Sequence, residues 1–184
     1  MGNCMAKMGY DYLNHKLPSQ LGDKINLVTH HWSNNWMKGF DIYTELDKFL
    51  ENRNDIAFTY IGRYYDGYVP RNTKLIPPLY GKNLGDELRK YDIYITAARW
   101  EACGMHHIEG ACCGLPVLYH KNGGGINESS KNYGIEYHDI PSLLESIYKI
   151  KESYHEYRDK IPYEYLSSKR CSEAYYKIIQ EMLS

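Results

Sequence analysis

Two glutamates eight residues apart, with a glycine between them, are the strongest chemical signal in this chain. Segment 97–109 runs Ala-Ala-Arg-Trp-Glu-Ala-Cys-Gly-Met-His-His-Ile-Glu, with Glu101 before Gly104 and Glu109 after it. A helix starting just past Gly104 leaves its first backbone N–H groups without intrahelical partners, so its tip attracts anions. At helical rise the eight residues separate the carboxylates by roughly 12 Å along the axis. That is the span of a nucleoside diphosphate sugar from ribose to hexose, with the diphosphate between. Each ionised carboxylate accepts two hydroxyl hydrogen bonds, as a ribose or sugar diol requires. The plainer alternative is a helix cap at Glu101 and a solvated helix face at Glu109, and spacing alone favours it.

Other reactive residues make weaker patterns. His30-His31 and His106-His107 are adjacent pairs. Neighbouring helical residues point about 100° apart, so such a pair rarely serves one metal ion. Cys103 and His107 stand at helical spacing, but no third group is evident to complete a metal site or to orient a base for a thiol nucleophile. No metal is expected.

The elements that must carry these residues follow from periodicity. Short apolar runs at 25–29, 56–61, 74–76, 92–96, 117–119 and 135–137 predict strands. Ile42, Leu46, Phe49 and Leu50 share a helical stripe, and helices are also expected over 83–91, 105–113 and 169–183. Ser142-x-x-Glu145 predicts a capping box opening a helix with Leu143, Ile147 and Ile150 on one stripe. Strands alternating with helices imply βαβ units: an α/β, Rossmann-like three-layer αβα sandwich on a mainly parallel sheet of about six strands. Ligands of such sheets sit beyond the carboxyl ends of the strands. The loops to watch are therefore 30–39, 62–73, 77–82, 97–104 and 120–128.

Composition narrows the classes. The 184 residues carry 22 Lys+Arg against 23 Asp+Glu, a net charge of -1. That balance excludes nucleic-acid binding through a basic face. Five cysteines without a C-x-x-C pair indicate reduced thiols and a cytoplasmic setting. No apolar run approaches the roughly 18 residues of a membrane span, and 1–23 lacks the apolar stretch of a secretory signal. That segment is expected to be an irregular lead-in. Twenty tyrosines stand beside three Phe and three Trp. They suit half-buried faces, where the ring is covered and the hydroxyl stays wet.

A wider pattern surrounds the two glutamates. Glu101-x7-Glu109 is followed by Gly110-Ala111-Cys112, by Cys113-Gly114-Leu115-Pro116-Val117, and by Gly124-Gly125-x-x-Glu128. Lys38-Gly39 follows the first strand, and Gly62 closes the second. In this order the motifs resemble the donor-binding domain of retaining glycosyltransferases of the two-Rossmann-domain (GT-B) class, family four, over residues 24–150.

The resemblance implies a role for each matching residue. Lys38 would neutralise the donor diphosphate, and Gly104, Met105 and His106 would offer amides to its distal phosphate. Glu101 would hold the transferred sugar and Glu109 the ribose. Gly124, Gly125 and Glu128 would line the pocket, and the segment ending at Leu79 would flank the base. The family's usual arginine before the lysine is missing from 30–37. Arg63 or Arg99 would substitute for it, or His31 and Asn34 would touch the donor directly. No cofactor is implied beyond the nucleotide sugar itself.

The resemblance also implies that residues 24–184 form one donor-binding domain and that 1–23 are too short for the N-terminal acceptor domain. Partners would then be an unknown sugar, lipid or protein acceptor and a separate acceptor half or a second copy, in the cytoplasm or at the inner face of a membrane. The alternative is a non-catalytic nucleotide-sugar-binding module.

Overall fold

Alternating side chains along the central strands decide the architecture. In β1 (Ile25–His31), Leu27 points to one side of the sheet and Val28 to the other, and both are fully buried. In β4 (Ile93–Thr96), Ile93 and Ile95 share one face and Tyr94 takes the opposite one. Strands apolar on both faces must be covered on both, which is the condition for a parallel sheet between two helical layers. The computed structural model, which describes residues 21–184, has that form.

Six strands, all parallel, lie in the order β3-β2-β1-β4-β5-β6. The others are β2 (Ile56–Gly62), β3 (Lys74–Ile76), β5 (Val117–His120) and β6 (Gly134–Tyr137). The expected Rossmann-like three-layer sandwich is present. One face carries α1 (Phe40–Phe49) and α5 (Ile140–Glu152), which bury Tyr43, Leu46, Leu143 and Ile147 against Leu27, Phe58 and Leu118. The other carries α2 (Gly81–Leu88) and α3 (His106–Cys112), which bury Leu84, Leu88, Ile108 and Ala111 against Val28, Ile61 and Val117. Each fully buried Leu or Ile contributes roughly 1.5–3 kcal/mol, so these two seams dominate the stability.

Strand order reverses between β1 and β4. Chain leaving β1 turns one way to α1, and chain leaving β4 turns the other way to α3. A crevice opens between them at the carboxyl edge, where ligands of open parallel sheets bind.

Several local expectations are corrected. β1 runs on to His31, because its pairing with β2 continues to His31↔Gly62; His30 and His31 are therefore buried strand residues and not part of a loop. The helix expected over 83–91 is α2, one turn earlier. The capping box of α5 is made by Asp139 and Ser142, with Ser142 N–H donating to Asp139 Oδ1 at 2.9 Å; Asp139 is the cap because its carboxylate accepts the N3 amide. Gly125–Ser130 forms a short helix, α4, which periodicity did not predict.

Tyrosine usage is also corrected. Tyr43, Tyr60, Tyr94, Tyr133 and Tyr137 are fully buried. Four of their hydroxyls have internal partners: Tyr137 donates to Thr96 O at 3.0 Å, Tyr60 to Arg63 O at 2.7 Å, and Tyr43 and Tyr94 bond to the histidines of β1. A satisfied hydroxyl costs little to bury.

After α6 (Tyr154–Asp159), the last helix, α7 (Ser168–Leu183), leaves Ile178, Ile179, Met182 and Leu183 exposed. It does not pack its apolar stripe on the sheet sandwich. Residues 1–20, most of the expected lead-in, lie outside the described residues. Among the described residues, no helix is long and apolar enough to cross a membrane.

Candidate active site

A glycine brings the two sides of the crevice together. Gly39 ends the 3-10 turn Trp36–Lys38 and opens α1 with φ of 87°. A Cβ there would lie 2.3 Å from Ala97 Cβ, just past β4. Only a residue without one lets the β1–α1 segment lie on the β4–α3 segment. The contact is completed by Arg99 N–H, which donates to Met37 O at 3.0 Å. Lys38 and Glu101, 63 residues apart in sequence, are thereby joined in an ion pair from Nζ to Oε1.

A second brace holds Glu101 from the other side. Its N–H donates to Gly123 O at 3.1 Å, and its carbonyl accepts from Gly125 N–H at 2.8 Å, as in a parallel bridge. Gly124 has φ of 71°, and a Cβ there would stand 2.9 Å from Glu101 O. Gly124 and Gly125 thus act on the backbone that carries the glutamate.

The resulting cavity has a volume of about 190 Å³. Lys38, Glu101, Gly104, Met105, His106 and Glu109 line it together with His31, Trp32, Ser33 and Cys103. Seven of the residues expected from the sequence, His31 among them, are therefore together, on both sides of the strand-order reversal. Seven are not among its lining residues: Gly124 and Gly125, which act through the backbone of Glu101, and five that lie elsewhere. Arg99 is drawn to Asp41 at the start of α1, with Nη2 2.5 Å from Oδ2. Arg63 projects outward past β2, and Asn34 is exposed on the β1–α1 loop. Leu79 packs on the hydrophobic core. Glu128 is exposed on α4. The substitution of Arg63 or Arg99 for the missing arginine is thus not built in; among the described residues, Lys38 is the only Lys or Arg that lines the cavity.

Histidines form the floor; the sequence offered His31 and His106 as donor contacts but did not reveal the partners of these rings or the part His30 plays. His30 Nε2 lies 2.6 Å from Glu109 Oε2, and its Nδ1 meets Tyr94 OH at 3.1 Å. His31 Nε2 meets Tyr43 OH at 2.9 Å, and Tyr43 OH accepts from Ala97 N–H. His31 Nδ1 is buried without a partner among the described residues. His106 Nε2 bonds Thr96 Oγ1 at 2.9 Å, and its ring lies 4.6 Å from that of His31. Burial, the Lys38 charge and His30 hold the His31 imidazole well below the usual histidine range. Burial, reinforced by His31 and His107, does the same to His106. His107 is pushed down to about 3 by burial and His30. Charging any of these rings would require burying a cation beside neighbours that repel it, so they are neutral hydrogen-bonding groups at pH 7. A doublet at the end of a buried strand was the available signal, since successive strand residues face opposite layers and can serve two different networks.

The Cys103–His107 pairing does not form, because His107 Nε2 is taken by Ser129 Oγ at 2.7 Å. Among the described residues, no three His, Cys, Asp or Glu side chains are grouped to hold a metal.

Comparison with known proteins decides the family. The model for glycosyl transferases group 1 matches residues 68–165, just over half of the chain. The chain belongs to that family. The match takes in Glu101, Glu109 and the Gly124–Glu128 turn but begins after Lys38. No curated protein sequence matched. Solved structures share the fold at low identity. The pneumococcal O-GlcNAc transferase GtfA, in complex with UDP and GlcNAc, aligns with a TM-score of 0.67 and 17% identity over 99% of this chain and 39% of its own. A variant of S. aureus TarM in complex with Fondaparinux, alpha-GlcNAc-glycerol and UDP gives 0.66 and 15% over 89% and 37%. Sucrose-phosphate synthase from Thermosynechococcus elongatus gives 0.61 and 12% over 86% and 46%. The chain spans less than half the length of these structures. Its group 1 sandwich corresponds to one Rossmann-like half of a GT-B glycosyltransferase.

Proposed function

We propose that the chain is the donor-binding part of a retaining glycosyltransferase and takes a nucleoside diphosphate sugar. The observation that carries this reading is the Lys38–Glu101 ion pair in the wall of a cavity that also holds Glu109. A cation for the diphosphate, a carboxylate for the sugar hydroxyls and a second carboxylate for the ribose stand at the strand-order reversal. The family match and the UDP in two of the similar structures support it.

In the proposed reaction an acceptor hydroxyl oxygen bonds to the anomeric carbon from the face that the diphosphate leaves. The bond from that carbon to the phosphate oxygen breaks with its electron pair, and the acceptor proton passes to that oxygen. Lys38 meets the charge that develops there, which is why we assign no metal to the step. Glu101 holds the sugar, and His31 Nδ1 is a spare polar atom for a donor oxygen. The acceptor half would come from another part of the protein or another chain.

Calorimetric titration with UDP, GDP and ADP and their common sugar conjugates tests this. At least one nucleotide should bind with a submillimolar Kd, and K38A should weaken it at least tenfold. A chain that binds none refutes the proposal. Sugar release or transfer from the bound conjugate separates an enzyme from a binding module.

A further inference from the structure

One buried polar atom of the crevice has no use in the fold. His31 ends β1 and lines the cavity, yet it is only 2% exposed, and its Nδ1 has no partner among the described residues. An unpaired polar atom in a packed floor costs free energy, so it calls for a reason. The ring is wedged among Tyr43, Tyr60 and His106, with centroid separations of 6.0, 5.8 and 4.6 Å, which hold it in one orientation.

The other ring nitrogen decides where the proton sits. Tyr43 OH lies 2.9 Å from His31 Nε2, and Thr29 Oγ1 lies 3.3 Å from both. The Tyr43 oxygen already accepts from Ala97 N–H at 3.0 Å. Burial pushes the Tyr43 phenol up to about 12, so it keeps its proton. With Nε2 as acceptor, Tyr43 donates to His31 and Thr29 donates to Tyr43. With a proton on Nε2 instead, Tyr43 would donate to Thr29, and the Thr29 proton would have no acceptor among the described residues. The first arrangement satisfies both hydroxyls, so the network assigns the proton to Nδ1.

We infer that His31 Nδ1–H, oriented from beneath by Tyr43, donates to a phosphate oxygen of the nucleoside diphosphate and takes the place of the arginine missing from 30–37; this rests on the proposed donor site. The cavity divides its groups accordingly. Glu101 and Glu109 only accept, which suits sugar and ribose hydroxyls, whereas a phosphate oxygen needs donors. Lys38 lies near enough for its charge to depress the His31 ring, so one diphosphate can meet both. Nδ1 is covered while Lys38 is paired with Glu101, and a diphosphate that draws Lys38 away uncovers it. The unpaired N–H is then a cost that the fold carries and donor binding recovers. Removing it should stabilise the fold and weaken the diphosphate, opposite signs that a structural histidine would not give.

The test is calorimetric titration of the full chain, His31→Leu and His31→Asn with UDP, GDP and ADP and with the matching nucleosides, alongside thermal unfolding. H31L removes the N–H at similar volume, and Tyr43 can turn its proton to Thr29. H31N places an amide where Nδ1 stands. In H31L the diphosphate should bind at least about tenfold more weakly, with the nucleoside within about twofold of the parent. Its unfolding midpoint should hold or rise by about 2–4 °C. H31N should recover part of the lost affinity. In the histidine-labelled parent, nitrogen NMR should show the His31 proton on Nδ1, with that resonance absent from H31L and moving when nucleotide is added. A proton on Nε2 overturns the inference, as does an unchanged diphosphate affinity in H31L; both leave the donor site standing. A midpoint that falls in H31L, with nucleoside and diphosphate weakened alike, makes His31 structural and overturns it too. A parent that binds no nucleotide overturns the inference and the donor site together.

Discussion

Neutralising Glu101 and neutralising Glu109 should move bare-nucleotide affinity in opposite directions. Glu101 is paired with Lys38 in a partly covered wall, with side chains 20% and 17% exposed. A diphosphate reaching Lys38 must share it with that carboxylate. Two unit charges about 6 Å apart, screened between surface-pair and bulk-water limits at an effective dielectric of about 40, repel by roughly 1.4 kcal/mol. Glu101→Gln removes this repulsion and keeps the volume, so UDP or its counterpart should bind up to about tenfold more tightly. The same change removes a carboxylate from the transferred sugar, so the advantage of the sugar conjugate over the bare nucleotide should shrink at least tenfold. Glu109 acts otherwise. Its Oε2 is engaged by His30 at 2.6 Å. Glu109→Gln leaves one acceptor oxygen for both His30 and a ribose diol. The loss of one hydrogen bond to a charged group is about 1.5–3 kcal/mol, a fall of roughly 10- to 150-fold. Calorimetry on parent and both variants, with bare nucleotide and conjugate in parallel, reads the two signs directly. Equal losses of bare-nucleotide affinity in the two variants would refute the assigned roles.

Further outcomes follow from the same contacts. Lys38→Ala should weaken a nucleoside diphosphate at least tenfold and leave the nucleoside itself unaffected, which competition titrations will show. Gly39→Ala forces a Cβ into Ala97 at a φ of 87°, and should lower the unfolding free energy by about 2–4 kcal/mol in urea titrations. Acid should unfold the protein through its buried imidazoles. His31, His106 and His107 are all depressed in the folded state, whereas an unfolded histidine takes up its proton near pH 6.5. Below that pH the unfolded chain binds more protons, so stability is full above about 6.5 and is lost as pH falls toward 3. The slope should be about 1.4 kcal/mol per pH unit per histidine, roughly 4 for the three. Urea midpoints between pH 6.5 and 4.5 measure it, and His107→Asn should remove about a third.

The fold was largely legible because its signals are local. Apolar runs such as Ile56–Ile61 and Asp92–Thr96, separated by helical stripes, allow few arrangements other than a parallel sheet between helices. The glutamate pair was legible as types at a spacing, and Lys38 only through the resemblance to a known family. Arg99 shows where that stopped: it stands two residues before Glu101, yet Asp41 at the start of α1 draws it away from the cavity. The buried tyrosines show it again, since a hydroxyl's partner 41 or 64 residues distant leaves no trace in periodicity.

By itself, the order of residues determined the strands, the helices and the identity of the charged side chains. Each of these depends on neighbours within a few positions. Tertiary structure alone decided that Lys38 meets Glu101 and that His30 meets Glu109. Those pairings depend on which loops are adjacent where the strand order reverses, and adjacency between β1 and β4 is settled by packing both faces of the sheet at once. Burial then sets the chemistry, because the same imidazole that would titrate near neutrality in water stays uncharged beneath Lys38.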